Sequence, residues 1–343
     1  MAATGSLLSP GTQVSEGVDG HTARSGVRRL VAALFDAWDD GDARGLTALF
    51  APAGRWTDPS GSTVTGSPTA IGLAYGAWRR WEPWCIHWLS NEQITAVGPG
   101  RCRGSWLWSA ASTIERGETA AWSGGDLLVD AVWCEGGWRI ESISVTDRYR
   151  SPYDRGWLAE PMVPVPFLHG HAREEVWAPV EPSDAGPAEA TLEDLLSEVE
   201  LRSLMGEFVN DLEEDRPPSE VSSHWAADGI LVLEDRSGGT AQGVEAIAAL
   251  IGRERAELTA FMRMLFSESI QVAGRRASCR WRDLWTGLRN GRAVWISHRY
   301  DVGAVRGPDG WRFERMERRR VLDCAYDEGW LPGPNGSAET ARP

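Results

Sequence analysis

The sequence predicts two consecutive α+β domains, and three observations carry that prediction. Gly137-Trp138-Arg139 with Tyr153-Asp154-Arg155-Gly156-Trp157-Leu158 returns as Gly310-Trp311-Arg312 with Tyr326-Asp327-Glu328-Gly329-Trp330-Leu331, each pair 173 positions apart. A period of that size is far longer than the roughly 20 to 50 residues of solenoid repeats, so a whole domain is written twice. Within each copy helix-period segments come first and strand-period segments follow, which places helices against a mainly antiparallel sheet. Between the copies, residues 159–194 contain Pro161, Pro164, Pro166, Pro179, Pro182 and Pro187 and read as an extended linker.

From Gly26 the residues Val27, Leu30, Val31, Leu34, Phe35 and Trp38 recur at steps of three and four, the stripe of an amphipathic helix that Gly41 stops. Residues 46–50 continue as a short second helix. A brief strand at 55–57 enters the turn Asp58-Pro59-Ser60-Gly61, and Pro68 stands near the start of a third helix reaching Trp81. Four longer strands follow at 86–97, 101–114, 119–133 and 138–148, divided by Gly98-Pro99-Gly100, Arg116-Gly117 and Glu135-Gly136-Gly137. The second copy repeats the order: a helix at 195–214, a short one ending near Trp225, a strand at 230–233 and a helix from Gly243. Strands at 261–272, 277–288, 292–305 and 311–322 close it. The expected boundaries are a disordered N-terminus at 1–25, a first domain at 26–158, the linker at 159–194, a second domain at 195–331 and a disordered tail at 332–343.

The balance of 35 basic and 49 acidic residues leaves a net charge of -14, which opposes nucleic acid or an anionic membrane as partner and favours a small molecule. None of the basic residues is Lys, which removes Schiff-base chemistry and the phosphate-binding Lys of a P-loop. Cys85, Cys102, Cys134, Cys279 and Cys324 are odd in number and lack paired spacing, so neither disulfides nor a zinc site is expected and a reducing cytoplasm is the default. The first 25 residues lack the apolar core of a signal peptide, and no run of about 18 apolar residues occurs. With no nucleotide-binding glycine fingerprint or iron-ligand arrangement, no cofactor and no metal are expected.

Both halves resemble the SnoaL-like branch of the nuclear transport factor 2-like superfamily. The residues that carry the resemblance are Ala37-Trp38-Asp39-Asp40-Gly41-Asp42, Leu46-Thr47-Ala48-Leu49-Phe50-Ala51, Arg55-Trp56-Thr57-Asp58-Pro59, Ile86-His87-Trp88-Leu89-Ser90-Asn91 and Gly137-Trp138-Arg139-Ile140. The resemblance covers residues 27–158 closely and 195–331 more loosely. It implies two tandem conical α+β barrels, each with three helices packed on a curved antiparallel or mixed sheet around an apolar cavity. The first half is similar to the scytalone dehydratase-like lyases, which implies a catalytic His on the strand after the third helix and an Asp near the end of the first, here His87 and Asp39. A neutral imidazole removes a carbon-bound proton near neutral pH, and a carboxylate fixes its tautomer and stabilises the imidazolium. Asp36 and Asp40 remain alternatives for the carboxylate if the helix register slips. The resemblance also implies a catalytic Arg on the fourth long strand in some lyases; Trp133 stands nearest, and no Arg is assigned.

The first half holds 12 of the 19 Trp residues. Trp88, Trp106, Trp108 and Trp122 are candidate walls for a flat polycyclic substrate, with core packing as the alternative for each. Tyr75 and Ser112 are candidate hydrogen-bond partners of a substrate oxygen. In the second half Arg263 takes the histidine position, which predicts loss of this chemistry, with a structural ion pair to Asp211 as an alternative role, while His298 reads as an isolated structural residue. Because relatives of this fold pair through the convex sheet, the halves are expected to form an intramolecular pseudo-dimer, with a homo-oligomer as an alternative. The repeated Tyr-Asp-x-Gly-Trp-Leu is expected to tie down the tail rather than form a flap, and His169 with His171 forms a weak metal tract. The leading functional expectation is a cofactor-independent dehydratase or polyketide cyclase-like lyase of secondary metabolism. The alternatives are a non-catalytic small-molecule-binding or scaffold protein and an isomerase of the ketosteroid type.

Overall fold

The computed structural model of the 343-residue chain describes residues 10–134, 137–153, 191–234, 238–256 and 258–330. Helix α1 (Pro10–Asp39) starts well before the periodic stripe, which corrects the disorder expected for residues 1–25 from Pro10 onward. From Ala23 onward the helix is held by tertiary contact: Ala23 is buried, and the Ser25 hydroxyl donates to Glu198 of the second domain at 2.8 Å. The helix ends at Gly41, whose φ of 74° lets the Asp42 N–H return to the Ala37 carbonyl at 2.8 Å. Asp42 then caps α2 (Ala43–Ala48) by accepting the Gly45 N–H. Phe50, expected to close that helix, instead opens β1 (Phe50–Thr57), because the Leu49 carbonyl is already engaged by the Ile140 N–H at 2.8 Å. After the short β2 (Thr63–Thr65), Ser67 and Pro68 start α3 (Pro68–Trp81).

Four long strands follow: β3 (Trp84–Gly98), β4 (Arg101–Ile114), β5 (Thr119–Cys134) and β6 (Gly137–Pro152). They form a sheet of order β2-β1-β6-β5-β4-β3, in which only β1 and β6 run parallel. The second half repeats this with α4 (Leu192–Glu213), α5 (Pro218–Val221), β7 (Trp225–Glu234), β8 (Gly239–Gln242), α6 (Val244–Arg255), β9 (Leu258–Ala273), β10 (Arg276–Arg289), β11 (Arg292–Gly307) and β12 (Gly310–Ala325). Its sheet order is β8-β7-β12-β11-β10-β9. The fold is therefore the expected tandem of α+β cones. A capping box between Thr191 and Asp194 starts α4 at Leu192, three residues before the expected helix start at 195. The strands β2 and β8 are too short for a visible alternation and escape the sequence reading. His169, His171 and most of the first Tyr-Asp-x-Gly-Trp-Leu lie outside the described residues.

Each half has its own core between the helices and the inner sheet face, with Leu34, Trp38, Ile71 and Leu127 in the first and Leu201, Phe208, Ile247 and Phe313 in the second. A third apolar cluster joins the outer faces of the two sheets through Trp88, Trp122, Tyr153, Leu284, Leu322 and Trp330. Tyr153 stacks on Trp330 with ring centroids 4.4 Å apart, and its hydroxyl donates to the Tyr326 carbonyl at 2.7 Å. Ser25 with Glu198 and Tyr153 with Tyr326 are each 173 positions apart, so residues near the local twofold axis meet their own counterparts. Among the described residues no helix is long and apolar enough to cross a membrane.

The register of β5 on β6 slips between Gly124 and Gly125, which pair with Tyr149 and Asp147 and skip Arg148. A Cβ at Gly125 would stand 1.7 Å from the Thr146 carbonyl oxygen, so only glycine lets the two backbones approach there. Gly125→Ala is expected to cost roughly 2–4 kcal/mol, read as a lower thermal midpoint of the full chain; an unchanged midpoint would show that the bulge relaxes freely.

Candidate functional site

Adjacent strand residues point to opposite faces, and this sorts the candidates on β3. Cys85, His87 and Leu89 face the interior of the first cone, while Ile86 and Trp88 face the second domain. The His87 ring lies among Phe35, Trp38 and Trp108, at centroid distances of 5.0, 5.4 and 5.8 Å. Asp39, in the last turn of α1, meets His87 twice: its Oδ1 is 2.5 Å from Nδ1, and its Oδ2 accepts the His87 backbone N–H at 3.0 Å. This two-point grip fixes the ring, engages Nδ1 with the carboxylate and leaves Nε2 as the nitrogen able to meet a substrate.

A third contact to Asp39 comes from the second domain. Arg282 on β10 donates from Nη1 to Asp39 Oδ2 and, at 3.1 Å, to the His87 carbonyl, while its Nη2 donates to Asp36 at 2.8 Å. Burial alone would raise the Asp39 carboxyl, but the charges and hydrogen bonds of Arg282 and His87 outweigh it and hold the group at about 2. The acidic run at the end of α1 is thus a docking surface rather than a solvated helix end, since Asp36 and Asp40 also take Arg299 at 3.2 and 2.9 Å. Asp39, and not Asp36 or Asp40, is the carboxylate on the histidine.

The pocket over His87 is lined by Phe35, Trp38, Pro59, Trp78, Glu82, Trp108, Val145 and Arg150 and is a narrow cavity of about 10 Å³. At the mouth the Trp78 indole donates to Glu82 at 2.5 Å, and Arg150 lies 5.9 Å over the Trp78 ring while donating to Asp147 at 3.1 Å. Arg150, on the fourth long strand, borders this pocket, whereas the sequence reading found no counterpart there for the catalytic Arg of some lyases. Strict alternation would turn Arg150 away from Val145, and the bulge at Gly124-Gly125 shifts the register so that both face the pocket. Paired glycines inside a strand were the available signal for it.

Of the other sequence candidates only Trp108 lines this pocket. Trp88 and Trp122 are corrected to the domain interface, where the Trp88 indole donates to the Asp283 carbonyl and Ser297 hydroxyl at 3.3 and 3.2 Å and Trp122 stacks between Trp88 and Trp295. Their strand parity is opposite to that of His87 and Trp108. Trp106 shares the inner face with Trp108 but is buried in the core over Gly104. The Tyr75 hydroxyl is occupied by the Trp38 carbonyl at 2.8 Å. Ser112 is buried, and its carbonyl receives the Trp330 indole at 2.8 Å.

Asp39, Cys85 and His87 place one ligand atom each within 4.8 Å of one another, a set that can hold a metal ion. The same atoms already face two guanidiniums, Arg282 on Asp39 and Arg79 at 3.3 Å from the Cys85 sulfur. Burial, followed by the charges of Asp39 and Glu82, also pushes the Cys85 thiol well above its ordinary range. A protonated thiol beside two fixed cations is a poor cation ligand.

In the second cone Arg263 occupies the histidine position but does not pair with Asp211, which instead meets His224 at 2.8 Å. Arg263 stacks 3.5 Å over Trp285 and lies 3.6 Å from Asp283, and His298, expected to stand alone, is 3.0 Å from that same carboxylate. Tyr300 also donates to Asp283, at 2.6 Å, so charged and polar side chains gather where the first cone has the Trp108 wall.

The SnoaL-like domain family matches residues 21–144 and again residues 193–317, together more than half of the chain. The chain belongs to the SnoaL-like family. Single SnoaL-like halves are similar to several solved structures. One is an NTF2-like protein with a cystatin-like fold from Novosphingobium aromaticivorans, with 24% identity over 38% of this chain and 85% of that one and a TM-score of 0.34. Another is hexachlorocyclohexane dehydrochlorinase LinA-type3 from Novosphingobium barchaimii, with 16% identity over 40% and 94% of the two chains and a TM-score of 0.37. No curated protein matches this SnoaL-like tandem.

Proposed function

We propose that the first domain is a lyase of the dehydratase or cyclase type that acts on an apolar, ring-containing, polyketide-like small molecule without a cofactor. The observation that carries this reading is the two-point His87–Asp39 contact at the base of an aromatic pocket that also contains Arg150. His87 Nε2 takes the carbon-bound proton, and the released electron pair forms the double bond as the neighbouring hydroxyl departs. The imidazolium then returns the proton to that hydroxyl, which leaves as water. Arg150, always charged, donates hydrogen bonds to the departing oxygen, and Asp39 stabilises the transient imidazolium. In cyclisation the same carbanion attacks a carbonyl carbon of the chain, and the imidazolium protonates the new alkoxide.

The rims supplied by Trp78, Glu82 and Arg150 close the pocket to far below the size of small-molecule sites, so a fused-ring substrate enters only with Trp78 and Arg150 displaced. A cone serving only to bind an apolar ligand would have little use for Glu82, His87 and Arg150 in its lining. Isomerisation of the ketosteroid type shares the first step and differs in returning the proton to another carbon.

The test is turnover of aryl β-hydroxy ketones in deuterated water, followed by proton NMR of both exchange at the acidic carbon and alkene formation. His87→Gln is expected to lower the rate by about 10²–10⁴-fold. Turnover by His87→Gln at the wild-type rate would end the proposal.

A further inference from the structure

We propose that Arg282 of the second domain is a positioning residue for the proton-transfer site of the first, so that this site is incomplete without its neighbour. The inference rests on reading His87 as the base. A single guanidinium holds both members of the pair, the Asp39 carboxylate and the His87 carbonyl, and its other nitrogen is anchored on Asp36. Arg282 is 4% exposed, so little water competes for its donors.

The repeat supplies a second, independent argument. In β10, Trp281, Asp283 and Trp285 face the second cone, which turns Arg282 and Leu284 outward to the first domain. The position matching Arg282 in the first half is Leu107: Leu107 lies opposite Asp126 and Arg282 opposite Arg299, and 126 and 299 are again 173 apart. The cross-domain contact therefore has no reciprocal. Arg28 and Arg29 of the first domain reach Glu198 and the Ile270 carbonyl of the second, but among the described residues only the half with histidine at the base position receives an arginine on the carboxylate that grips that position, and the half with Arg263 there gives it.

The chemical consequence follows from charge. With Arg282 in place, the Asp39 charge is shared between a permanent cation and the imidazole. Without Arg282, Asp39 favours the imidazolium, and the base is protonated over more of the neutral range. The other ionisable groups around the pair are Asp36 on α1, Tyr75 and Arg79 on α3, Glu82 at the end of α3, Cys85 at the start of β3, and Asp147 and Arg150 on β6. All of them remain in the variant.

The experiment compares the full-length wild type with Arg282→Met, Arg282→Gln, Arg282→Lys and, as an interface control, Arg299→Met. Two readouts are used: the His87 ring proton titration by NMR, which needs no substrate, and the pH–rate profile. In Arg282→Met, or in the closer-shaped Arg282→Gln if Met does not fold, the His87 titration and the acid limb are expected to move up by about one pH unit. That shift is tenfold in rate on the acid side. Arg282→Lys is expected to restore most of it, and Arg299→Met to leave both readouts unmoved. An unmoved His87 titration in folded Arg282→Met or Arg282→Gln overturns the inference, as does an equal shift in Arg299→Met. If the titration moves but His87→Gln keeps its turnover, the positioning contact stands and the base assignment fails.

Discussion

Asp39→Asn is expected to abolish most turnover and to destabilise the whole chain. An amide can still accept from His87, but it cannot stabilise an imidazolium, so a rate loss of about 10²–10⁴-fold is expected. The same change leaves the buried Arg282 with Asp36 as the one remaining carboxylate of the two it holds; removing one partner of a buried pair costs up to about 3–5 kcal/mol. The folded carboxyl is held at about 2 against an ordinary value of 3.8, a depressed acid. Its contribution, about 2 kcal/mol, is therefore fully present above roughly pH 4 and is lost as pH falls through about 2. Denaturant unfolding between pH 2 and 6 should show this acid-side slope in the wild type and not in Asp39→Asn. Parallel slopes in the two proteins would mean that Asp39 does not carry the linkage.

Trp88→Ala is expected to have the largest effect on stability at a site remote from the pocket. The side chain is wholly buried, stacks on Trp122 at 5.3 Å and donates to two acceptors on the second domain. Deleting an aromatic core side chain costs about 3–5 kcal/mol, and here the loss falls on the surface that brings Arg282 to Asp39. Activity should therefore fall together with the denaturant midpoint, even though Trp88 points away from the substrate. A stability loss under about 1 kcal/mol would show that the outer faces do not depend on this indole. Trp108→Ala provides the contrast: it opens the pocket wall and should disturb substrate use more than docking.

The fold was readable because its signals are local and repeated. The α1 stripe, the turn glycines and the recurring Gly-Trp-Arg and Tyr-Asp-x-Gly-Trp-Leu each constrain a few neighbouring residues, and the 173-residue offset doubles their weight. His87 and Asp39 were readable through resemblance to a family pattern, and the structure brings those two side chains together. The aromatic wall was less legible because a count of tryptophans ignores parity: Trp88 beside His87 had to face the other way, and Trp122 lies on that same outer face. Arg150 was hidden by the bulge at Gly124-Gly125, which breaks the alternation that would otherwise place it. Arg282 could not be found from the first half at all, since it is 243 residues from Asp39 in the chain. Its one local sign is a charged residue between Trp281 and Asp283 on a face that Leu284 makes apolar.

Ser25 against Glu198 and Tyr153 against Tyr326 are what two separate copies of one chain would present to each other across a dyad. In such a homodimer every substitution appears on both sides of the axis, so one copy could not exchange its base for an arginine while the other kept it. Joining the copies in one polypeptide removes that tie. The first half can keep His87 while the second carries Arg263 in its place, and Arg282 can arise where only one partner has an Asp39 to receive it. Covalent fusion thus makes a division of labour genetically available to a surface that symmetry would otherwise hold uniform.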